Sequence, residues 1–481
     1  MSALVWFRND LRTQDHSALA AATRSGEKQV VAVYIVCPEE WQLHDTAPIR
    51  VHFIFNHLAD LREKLSKLNI QLQVLVTDRY RKIPSTLARF AAQIKASECH
   101  FICEYPVNER NRDQEATRLL ERQAVKVYAH HQQCLIQPGQ ILTREGTYFK
   151  VFTQFKKTWI HRAQLINWQL EKPKAAKQIT SLELNPIPFE LAPLPSADPA
   201  QWPTGEHSAQ KRLRAFCEKK IMLYKDDRDF PAREGTSTLS PYLAIGSISA
   251  RNCLVQALSL NQGFYESGNP GISSWINELI WRDFYQHIVF GYPHVCKNKP
   301  FKLETSLIEW NHSDVLFDAW STGQTGFPLV DAAMRQLLNT GWMHNRLRMV
   351  TAMFLTKNLF IDWRRGEKFF MQHLIDGDFA ANNGGWQWSA STGTDAAPYF
   401  RIFNPITQSE RFDPDGAFIR SWIPELADCD SKHIHEPQKH GDLLFSTSGY
   451  PRQIVDLKQS KQRVLDAFKS LNDARQLLIP E

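Results

Sequence analysis

The 481-residue sequence lacks most of the short motifs that identify common protein classes. Its eight cysteines are scattered without a CxxC pair, which suits a reducing compartment and argues against a disulfide framework or a zinc site. Neither GxGxxG nor a P-loop motif occurs, so either kind of nucleotide site would lack its phosphate cradle. The longest apolar run, residues 30–37, is far too short for a membrane span, and the first residues show no secretory pattern. These absences predict a cytoplasmic protein without a membrane anchor.

Charge and histidine content exclude little. The net charge of +6 comes from 57 Lys and Arg against 51 Asp and Glu, a mild excess that permits an acidic partner such as DNA without requiring one. His433 and His435 form an HxH motif near His440, but no cysteine or carboxylate pattern accompanies them. The motif therefore predicts a surface loop, and no metal is expected.

The spacing of apolar residues divides the chain into three parts. Residues 1–130 alternate between short β-branched runs and helical patterns, which predicts an α/β domain with a parallel, Rossmann-like sheet. Residues 131–205 contain seven prolines between 173 and 203 and predict an interdomain linker. Residues 206–481 carry apolar residues at helical spacing and predict a larger all-α domain.

Residues 376–405 combine polar groups and large aromatics in a way that suits neither a core nor a solvent loop. Asp376 and Asp378 precede paired amides, a Gly384–Gly385 pair that predicts a turn, and then Trp386 and Trp388. Aromatic walls with a few placed polar groups are typical of a ligand pocket. We therefore expect this stretch to line the main binding site.

One face of the helix predicted over residues 275–290 is also unusual. Trp275, Glu278, Trp281, Arg282 and Tyr285 fall at positions that share this face. Two indoles, a phenol, a carboxylate and a guanidinium fit either a partly buried, ion-paired helix or a binding face. The residues alone leave both readings open.

Two further groups have an ordinary explanation and a functional one. Arg348 is placed to pair with Asp376 or Asp378, either as a structural ion pair or beside a phosphate-bearing ligand. The hydroxyl-rich run from Thr236 to Ser240 suits a pyrophosphate site, although helix capping is the commoner use of such residues. For Trp310, Trp363 and Trp386, the ordinary interpretation is that they pack in the hydrophobic core.

Six motifs follow one another along the chain: LVWFRNDLRTQDHSAL (4–19), PVNERNRD (106–113), RDFPAREGTSTLS (228–240), WINELIWRDFY (275–285), TGFPLVDAAMRQLLNTGWMHNRLRMVTA (325–352) and DGDFAANNGGWQWSASTGTDAAPYFRIFNP (376–405). In this order they resemble the photolyase/cryptochrome family, in particular its bacterial class I photolyases of cyclobutane pyrimidine dimers. The resemblance covers essentially the whole chain; only the linker and the tail after about residue 429 diverge.

The resemblance implies FAD, reduced in its active form, in the helical domain. The positions that match flavin-contacting residues are Tyr224, Thr236, Ser237, Thr238, Leu239, Ser240, Trp275, Glu278, Arg282, Asn345, Arg348, Asp376, Asp378 and Asn382. Asn382 matches the residue that faces flavin N5, and Asn rather than Asp or Cys there favours repair over signalling. Trp310, Trp363 and Trp386 match the family's electron-relay triad.

The resemblance also implies binding of UV-damaged DNA, single- or double-stranded, with the dimer flipped into a pocket as photolyases do. The implied catalytic residues are Glu278, Asn382, Trp281, Trp388 and Met349, and the implied DNA contacts are Arg228, Glu278, Trp281, Asn345, Arg346, Met349, Trp388 and Arg401. Trp281 and Trp388 match the stacking walls of the pocket. Enzymes of 6-4 photoproducts place histidines where Asn345 and Met349 stand, so cyclobutane dimers are the expected substrate.

A second, light-harvesting chromophore is implied as well. His44, Asn108, Glu109, Cys296 and Lys297 match the positions that bind methenyltetrahydrofolate in class I enzymes. The expected function is light-driven dimer repair by electron transfer from excited FAD, by a monomer in the bacterial cytoplasm with the nucleoid. The alternative is a blue-light receptor of the cryptochrome kind without repair activity; Glu278, Met349 and Asn382 favour repair.

Overall fold

Five parallel strands form one sheet in the first 130 residues of the computed structural model, which describes residues 2–178, 182–439 and 449–477. The strands are β1 (Ser2–Phe7), β2 (Gln29–Val36), β3 (Gln71–Val76), β4 (Ala96–Ile102) and β5 (Lys126–His130), in the order β3-β2-β1-β4-β5. All six residues of β1 are buried, as expected for a central parallel strand covered on both faces. The α/β prediction is confirmed.

Helices connect these strands and cover the sheet. They are α1 (Ser17–Ala22), α2 (Pro38–Leu43), α3 (Pro48–Ser66), α4 (Ile83–Gln93) and α5 (Val107–Glu121). The strand order reverses beside β1, and in such sheets ligands bind where the strands end at this reversal. Arg8 and Asn9 follow β1 there, and Glu104 follows β4. The sheet therefore provides a crevice lined by charged and polar side chains.

The rest of the chain is helical, in agreement with the predicted all-α region. The helices are α6 (Phe152–Ala163), α7 (Glu206–Lys219), α8 (Tyr224–Asp227), α9 (Ser240–Ala244), α10 (Ala250–Leu260), α11 (Pro270–Gly291), α12 (Asp314–Ser321), α13 (Pro328–Thr340), α14 (Asn345–Met353), α15 (Trp363–His373), α16 (Phe379–Ala390), α17 (Pro405–Phe412), α18 (Ala417–Trp422) and α19 (Leu457–Leu477). A π-helical segment, Phe354–Asn358, continues α14. Across the described ranges, no helix is long and apolar enough to cross a bilayer.

The predicted linker contains a packed helix, which lies before its proline-rich part. Helix α6 buries Phe155 and Trp159 against α11, and the indole N–H of Trp159 donates to Asp283 Oδ2 at 3.0 Å. The backbone N–H groups of Leu135 and Ile136 also donate to the Asp283 carboxylate, both at 3.0 Å. This part of the linker is therefore attached to α11, whereas the boundaries of the three regions stay a prediction.

The HxH motif is not simply a surface loop. His435 is buried, and its Nδ1 lies 2.7 Å from the hydroxyl of Ser409. His433 pairs instead with Asp430, Nδ1 to Oδ2 at 2.6 Å. The two side chains serve different local contacts, and His440 lies outside the described residues. No group of three or more metal-ligating side chains occurs in the part of the chain that the structure describes.

His57 joins α3 to the start of the helical region. Its Nδ1 donates to the carbonyl of Phe53 at 2.8 Å, and its Nε2 accepts the N–H of Gly205 at 3.1 Å. The ring is buried, and burial lowers the pKa of His57 to about 4. Protonation would turn Nε2 into a donor that faces the Gly205 donor, so the neutral ring is the form that stabilises the fold.

Acidification is expected to destabilise the protein through His57. Since the folded pKa of about 4 lies below the ordinary value of 6.5, the stabilising contribution is present above pH 6.5 and is lost as the pH falls toward 4. The lowered pKa corresponds to roughly 3 kcal/mol of stability at neutral pH. Urea unfolding of the protein and of His57→Gln between pH 4 and 7 measures this. Parallel pH profiles of the two proteins would contradict it.

Candidate active site

A cavity of about 550 Å³ lies among α8, α9, α11, α14 and α16; we call it the helical cavity. Most side chains predicted to contact a flavin border it: Tyr224, Ser237, Ser240, Trp275, Glu278, Arg282, Asn345, Arg348, Asp376, Asp378 and Asn382. Three predicted contacts, Thr236, Thr238 and Leu239, do not. The structure thus brings four separate sequence motifs to one site.

Helix α11 contributes the largest group. Its N-cap is Asn269, whose side chain accepts the N–H of Ile272 at 3.0 Å. The five residues predicted to share a face, Trp275, Glu278, Trp281, Arg282 and Tyr285, all border the helical cavity. Asp283, which lies outside this face, anchors α11 by accepting bonds from α6 and the linker, and Arg282 adds a bond to the carbonyl of Gln133 at 2.5 Å. All five side chains thus border an open space, and the role of this face in binding stays a prediction.

An ion pair lies at one side of this face. The guanidinium of Arg228 donates to Glu278 Oε1 at 2.6 Å and to the hydroxyl of Ser274 at 3.2 Å. Burial alone would lower the pKa of Arg228, but the negative charge of Glu278 raises it above its ordinary value. The arrangement holds a carboxylate at the cavity with one oxygen engaged by a fixed cation.

The partner of Arg348 is Asp376. Arg348 Nη2 donates to both carboxylate oxygens, at 2.8 and 3.1 Å, and Nε donates to the carbonyl of Met343 at 2.8 Å. Asp378 instead caps α16, with Oδ1 accepting the N–H of Ala381 at 2.9 Å. Two carboxylates two residues apart thus serve different purposes, and both border the helical cavity.

Gly384 and Gly385 do not form the predicted turn. Both lie inside α16, where the helix runs without interruption from Phe379 to Ala390. A Cβ on Gly384 would lie 2.2 Å from the ring of Tyr285, whereas one on Gly385 would meet nothing within 4 Å. Gly384 therefore allows α16 to approach α11, and Gly385 leaves room in the cavity.

Asn382 lies two residues before this glycine pair on α16. Its Nδ2 donates to the carbonyl of Glu367 at 2.9 Å, which fixes the orientation of the amide at the cavity wall. Asn383 donates to the Glu367 carboxyl group at 2.8 Å, and burial raises the pKa of Glu367 to about 7. Helix α15 thus holds both amides of the pair in place.

Trp281 has a stacking partner that the sequence does not reveal. The rings of Trp281 and Phe152 lie parallel, with centroids 3.6 Å apart and an interplanar angle of 6°. Phe152 begins α6 within the predicted linker, so nothing in its local sequence pointed to the site. Phe152 covers one face of the indole and holds it flat at the cavity.

The other predicted DNA contacts also lie around this cavity, with one exception. Asn345, Arg346, Met349 and Trp388 border it together with Arg228 and Glu278. Arg346 Nη2 pairs with Asp229 Oδ2 at 2.8 Å. Arg401 is exposed and lies outside the lining, in the segment that follows α16.

The hydroxyl groups at the start of α9 are divided between two environments. Ser237 and Ser240 border the cavity, whereas Thr238, with φ of 46°, turns toward Arg212.

The three tryptophans predicted to form a relay differ in depth. Trp386 borders the helical cavity and is 2 % exposed; Trp363 is 0 % and Trp310 is 8 % exposed. Trp386 packs over Gly366 of α15, the helix that Trp363 begins, since a Cβ at Gly366 would lie 2.1 Å from that indole. Trp310 packs on Phe360, with centroids 5.1 Å apart. All three indoles are buried, and their order as a relay stays a prediction.

A second cavity of about 610 Å³ lies between the sheet and the helices; we call it the junction cavity. His44, Asn108, Glu109 and Cys296 border it, whereas Lys297 does not. Burial raises the pKa of Glu109 to about 7 and that of Glu40, on the same wall, to about 8. Near pH 7 this cavity therefore offers carboxyl groups that can donate as well as accept. Asp378 borders both cavities and separates them.

Comparison with known proteins agrees with this architecture. Residues 3–177 match the family described as DNA photolyase, and residues 275–470 match the FAD binding domain of DNA photolyase. A relative from Vibrio cholerae named deoxyribodipyrimidine photo-lyase is 43% identical over 97% of this chain and 99% of its own length.

Solved structures give the same result. A class III photolyase from Agrobacterium tumefaciens superposes with a TM-score of 0.86 at 32% identity, covering 98% of both chains. A cryptochrome from Synechocystis superposes with a TM-score of 0.87 at 30% identity, covering 97% of this chain and 99% of its own. The chain belongs to the photolyase/cryptochrome family.

Proposed function

We propose that this protein is a deoxyribodipyrimidine photo-lyase that splits cyclobutane pyrimidine dimers in UV-damaged DNA under light. One observation carries the proposal. The same cavity is lined by polar groups that suit a flavin and by aromatic and ion-paired side chains that suit a flipped lesion. Asp376, Asp378 and Asn382 represent the first part, and Glu278 and Trp281 the second. A photoreceptor would have no use for the second part.

The residues of the helical cavity fit FAD. Carboxylates and an amide can bind the donor and acceptor edge of the isoalloxazine ring and the ribose, and the hydroxyls of Ser237 and Ser240 suit a pyrophosphate. The buried indole N–H of Trp386, at the cavity wall, has no acceptor among the described residues. Bound there in its reduced form, FAD supplies the electron that light makes available for the repair.

The remaining residues bind and orient the lesion. Trp281 and Trp388 offer flat apolar faces to a pyrimidine pair, and Glu278 offers its oxygen that is free of Arg228 as a hydrogen-bond acceptor. Arg346 and Arg401 add positive charge for DNA phosphates. With Asn345 and Met349 at the cavity, the site carries no histidine at the positions of 6-4 enzymes, which supports cyclobutane dimers as substrate.

A methenyltetrahydrofolate antenna is proposed for the junction cavity. Glu109 with its raised pKa can exchange hydrogen bonds with an aminopyrimidine edge, and His44, Asn108 and Cys296 share that cavity. The absorption spectrum of the purified protein tests this: a strong near-ultraviolet band beyond the flavin bands supports the folate, and flavin bands alone contradict it. Finer assignments belong to the same proposal: a monomer, active on single- and double-stranded DNA in the bacterial cytoplasm near the nucleoid.

Illumination of the purified, reduced protein with a dimer-bearing oligonucleotide tests the function. We expect loss of the dimer under blue light and none in the dark. Unchanged dimer after illumination, with flavin bound, would contradict repair and favour a receptor of the cryptochrome kind. A 6-4 photoproduct oligonucleotide is the matched substrate control and should stay unrepaired.

Replacing Trp310 with phenylalanine is expected to slow photoreduction of oxidised flavin while repair by chemically reduced protein continues. Trp310 is the most exposed of the three relay tryptophans, and phenylalanine keeps an aromatic ring but is much harder to oxidise. Flavin absorbance under steady blue light with an external reductant measures the first effect, and dimer loss measures the second. If repair by the reduced variant were lost as well, Trp310 would act in something other than the relay.

A further inference from the structure

Arg50 extends from α3, on the sheet side of the molecule, into the region between the two cavities. Its Nη1 donates to the carbonyl of Gly377, and its Nη2 lies 3.4 Å from the carbonyl of Ala244 and 3.3 Å from Asn9 Oδ1. Two of these three acceptors are backbone groups of the helical region. Arg50 therefore makes a direct connection from the α/β region to the walls of the helical cavity.

The two backbone acceptors hold residues of the proposed flavin site. Gly377 stands between Asp376 and Asp378, so a bond to its carbonyl fixes the backbone that presents both carboxylates. Ala244 ends α9 and borders the helical cavity beside Ser240. One guanidinium thus ties together the carboxylate segment and the hydroxyl-bearing helix, which lie more than 130 residues apart in sequence.

Charge gives Arg50 a second effect on this site. Asp376 already has Arg348 as its cation, whereas Asp378 accepts from two neutral donors: Gln286 Nε2 at 3.3 Å and the N–H of Ala381 at 2.9 Å. Burial lowers the pKa of Arg50, and the charge of Asp378 opposes that fall more than any other group does. Because Arg50 is hydrogen-bonded to the residue next to Asp378, its positive charge lies near that carboxylate.

We propose that Arg50 is a positioning residue for the flavin, which fixes the Asp376–Asp378 segment and balances the charge of Asp378. The α/β region thereby sets the affinity and the reduction potential of a cofactor held by the helices. This inference rests on the proposed function, since it requires FAD in the helical cavity. Arg50 contacts the backbone and Asn9, so it acts through Asp376 and Asp378 and has no direct part in the chemistry.

Two variants separate the two effects. Arg50→Gln removes the charge, and Arg50→Lys keeps the charge but replaces the planar fork that reaches several acceptors. The control is Arg62→Gln on the same helix, because Arg62 donates to a linker carbonyl, Asn185 at 2.7 Å, and borders neither cavity. FAD binding to each apoprotein is measured in the dark by flavin fluorescence, and the midpoint potential of the bound flavin by spectroelectrochemical titration.

We expect Arg50→Gln to weaken FAD binding about tenfold or more, as loss of charged hydrogen bonds implies, and to lower the midpoint potential, because the reduced anionic flavin loses a nearby positive charge. Arg50→Lys should weaken binding but keep the potential of the unmodified protein. Arg62→Gln should change neither.

The inference would be overturned if Arg50→Gln had the same FAD affinity and the same flavin midpoint potential as the Arg62→Gln control. If Arg50→Gln does not fold, Arg50→Lys decides: unchanged FAD affinity in that variant overturns the positioning role. These outcomes are distinct from failure of the proposed function, which would appear as absence of FAD binding in the unmodified protein.

Discussion

Replacement of Arg348 by methionine is expected to abolish FAD retention and to lower the free energy of unfolding by about 3–5 kcal/mol. Arg348 bonds both oxygens of Asp376, at 2.8 and 3.1 Å, and Asp376 is only 6 % exposed. Methionine fills a similar volume but leaves the carboxylate buried without its cation. Urea unfolding of the flavin-free proteins measures the stability, and the flavin-to-protein ratio after gel filtration measures retention.

A second replacement distinguishes the ion pair from simple packing. Asp376→Leu combined with Arg348→Met removes both charges, so it should recover much of the lost stability but none of the FAD retention. Arg365→Met is the surface control, because Arg365 pairs with the exposed Asp314 at 2.7 Å and such pairs contribute little. If the double variant were no more stable than Arg348→Met, the cost would not come from an unpaired charge at Asp376.

The identity of this ion pair shows what the sequence could and could not predict. Both Asp376 and Asp378 were candidates, and the structure selects Asp376 because Asp378 caps α16. That signal was present, since Asp is a favoured N-cap residue and Asp378 directly precedes a helical pattern. The α/β region was predictable for a similar reason: buried parallel strands leave uninterrupted apolar runs such as β1 and β2.

Features that depend on contacts across the fold were not predictable. Adjacent glycines usually indicate a turn, and only the ring of Tyr285 against Gly384 explains why α16 needs a glycine there. Phe152 lies in the predicted linker and reaches Trp281 across 129 positions of sequence. Arg50 belongs to an ordinary amphipathic helix. In each case the contact joins residues that are far apart in sequence, so the pattern around either one does not reveal it.

Replacement of Trp281 by alanine is expected to weaken binding of dimer-bearing DNA by about 5- to 150-fold, because stacking of a base on an aromatic side chain contributes about 1–3 kcal/mol. Binding of undamaged DNA should stay unchanged, since it depends on phosphate contacts. Fluorescence anisotropy in the dark, at one fixed salt concentration, measures both affinities. Arg401→Gln is the control and should weaken both DNAs alike, leaving their ratio constant.

Phe152 allows the role of the indole's orientation to be tested apart from the indole itself. Phe152→Leu keeps an apolar side chain behind Trp281 but removes the parallel ring at 3.6 Å that holds it flat. We expect the preference for dimer-bearing DNA to fall in this variant by less than in Trp281→Ala. An unchanged preference would mean that the indole needs no support from α6. If Trp281→Ala weakened binding of dimer-bearing and undamaged DNA equally, the stacking role would be contradicted. Loss of a phosphate contact lowers both affinities alike, whereas loss of a stacking surface for the dimer lowers their ratio.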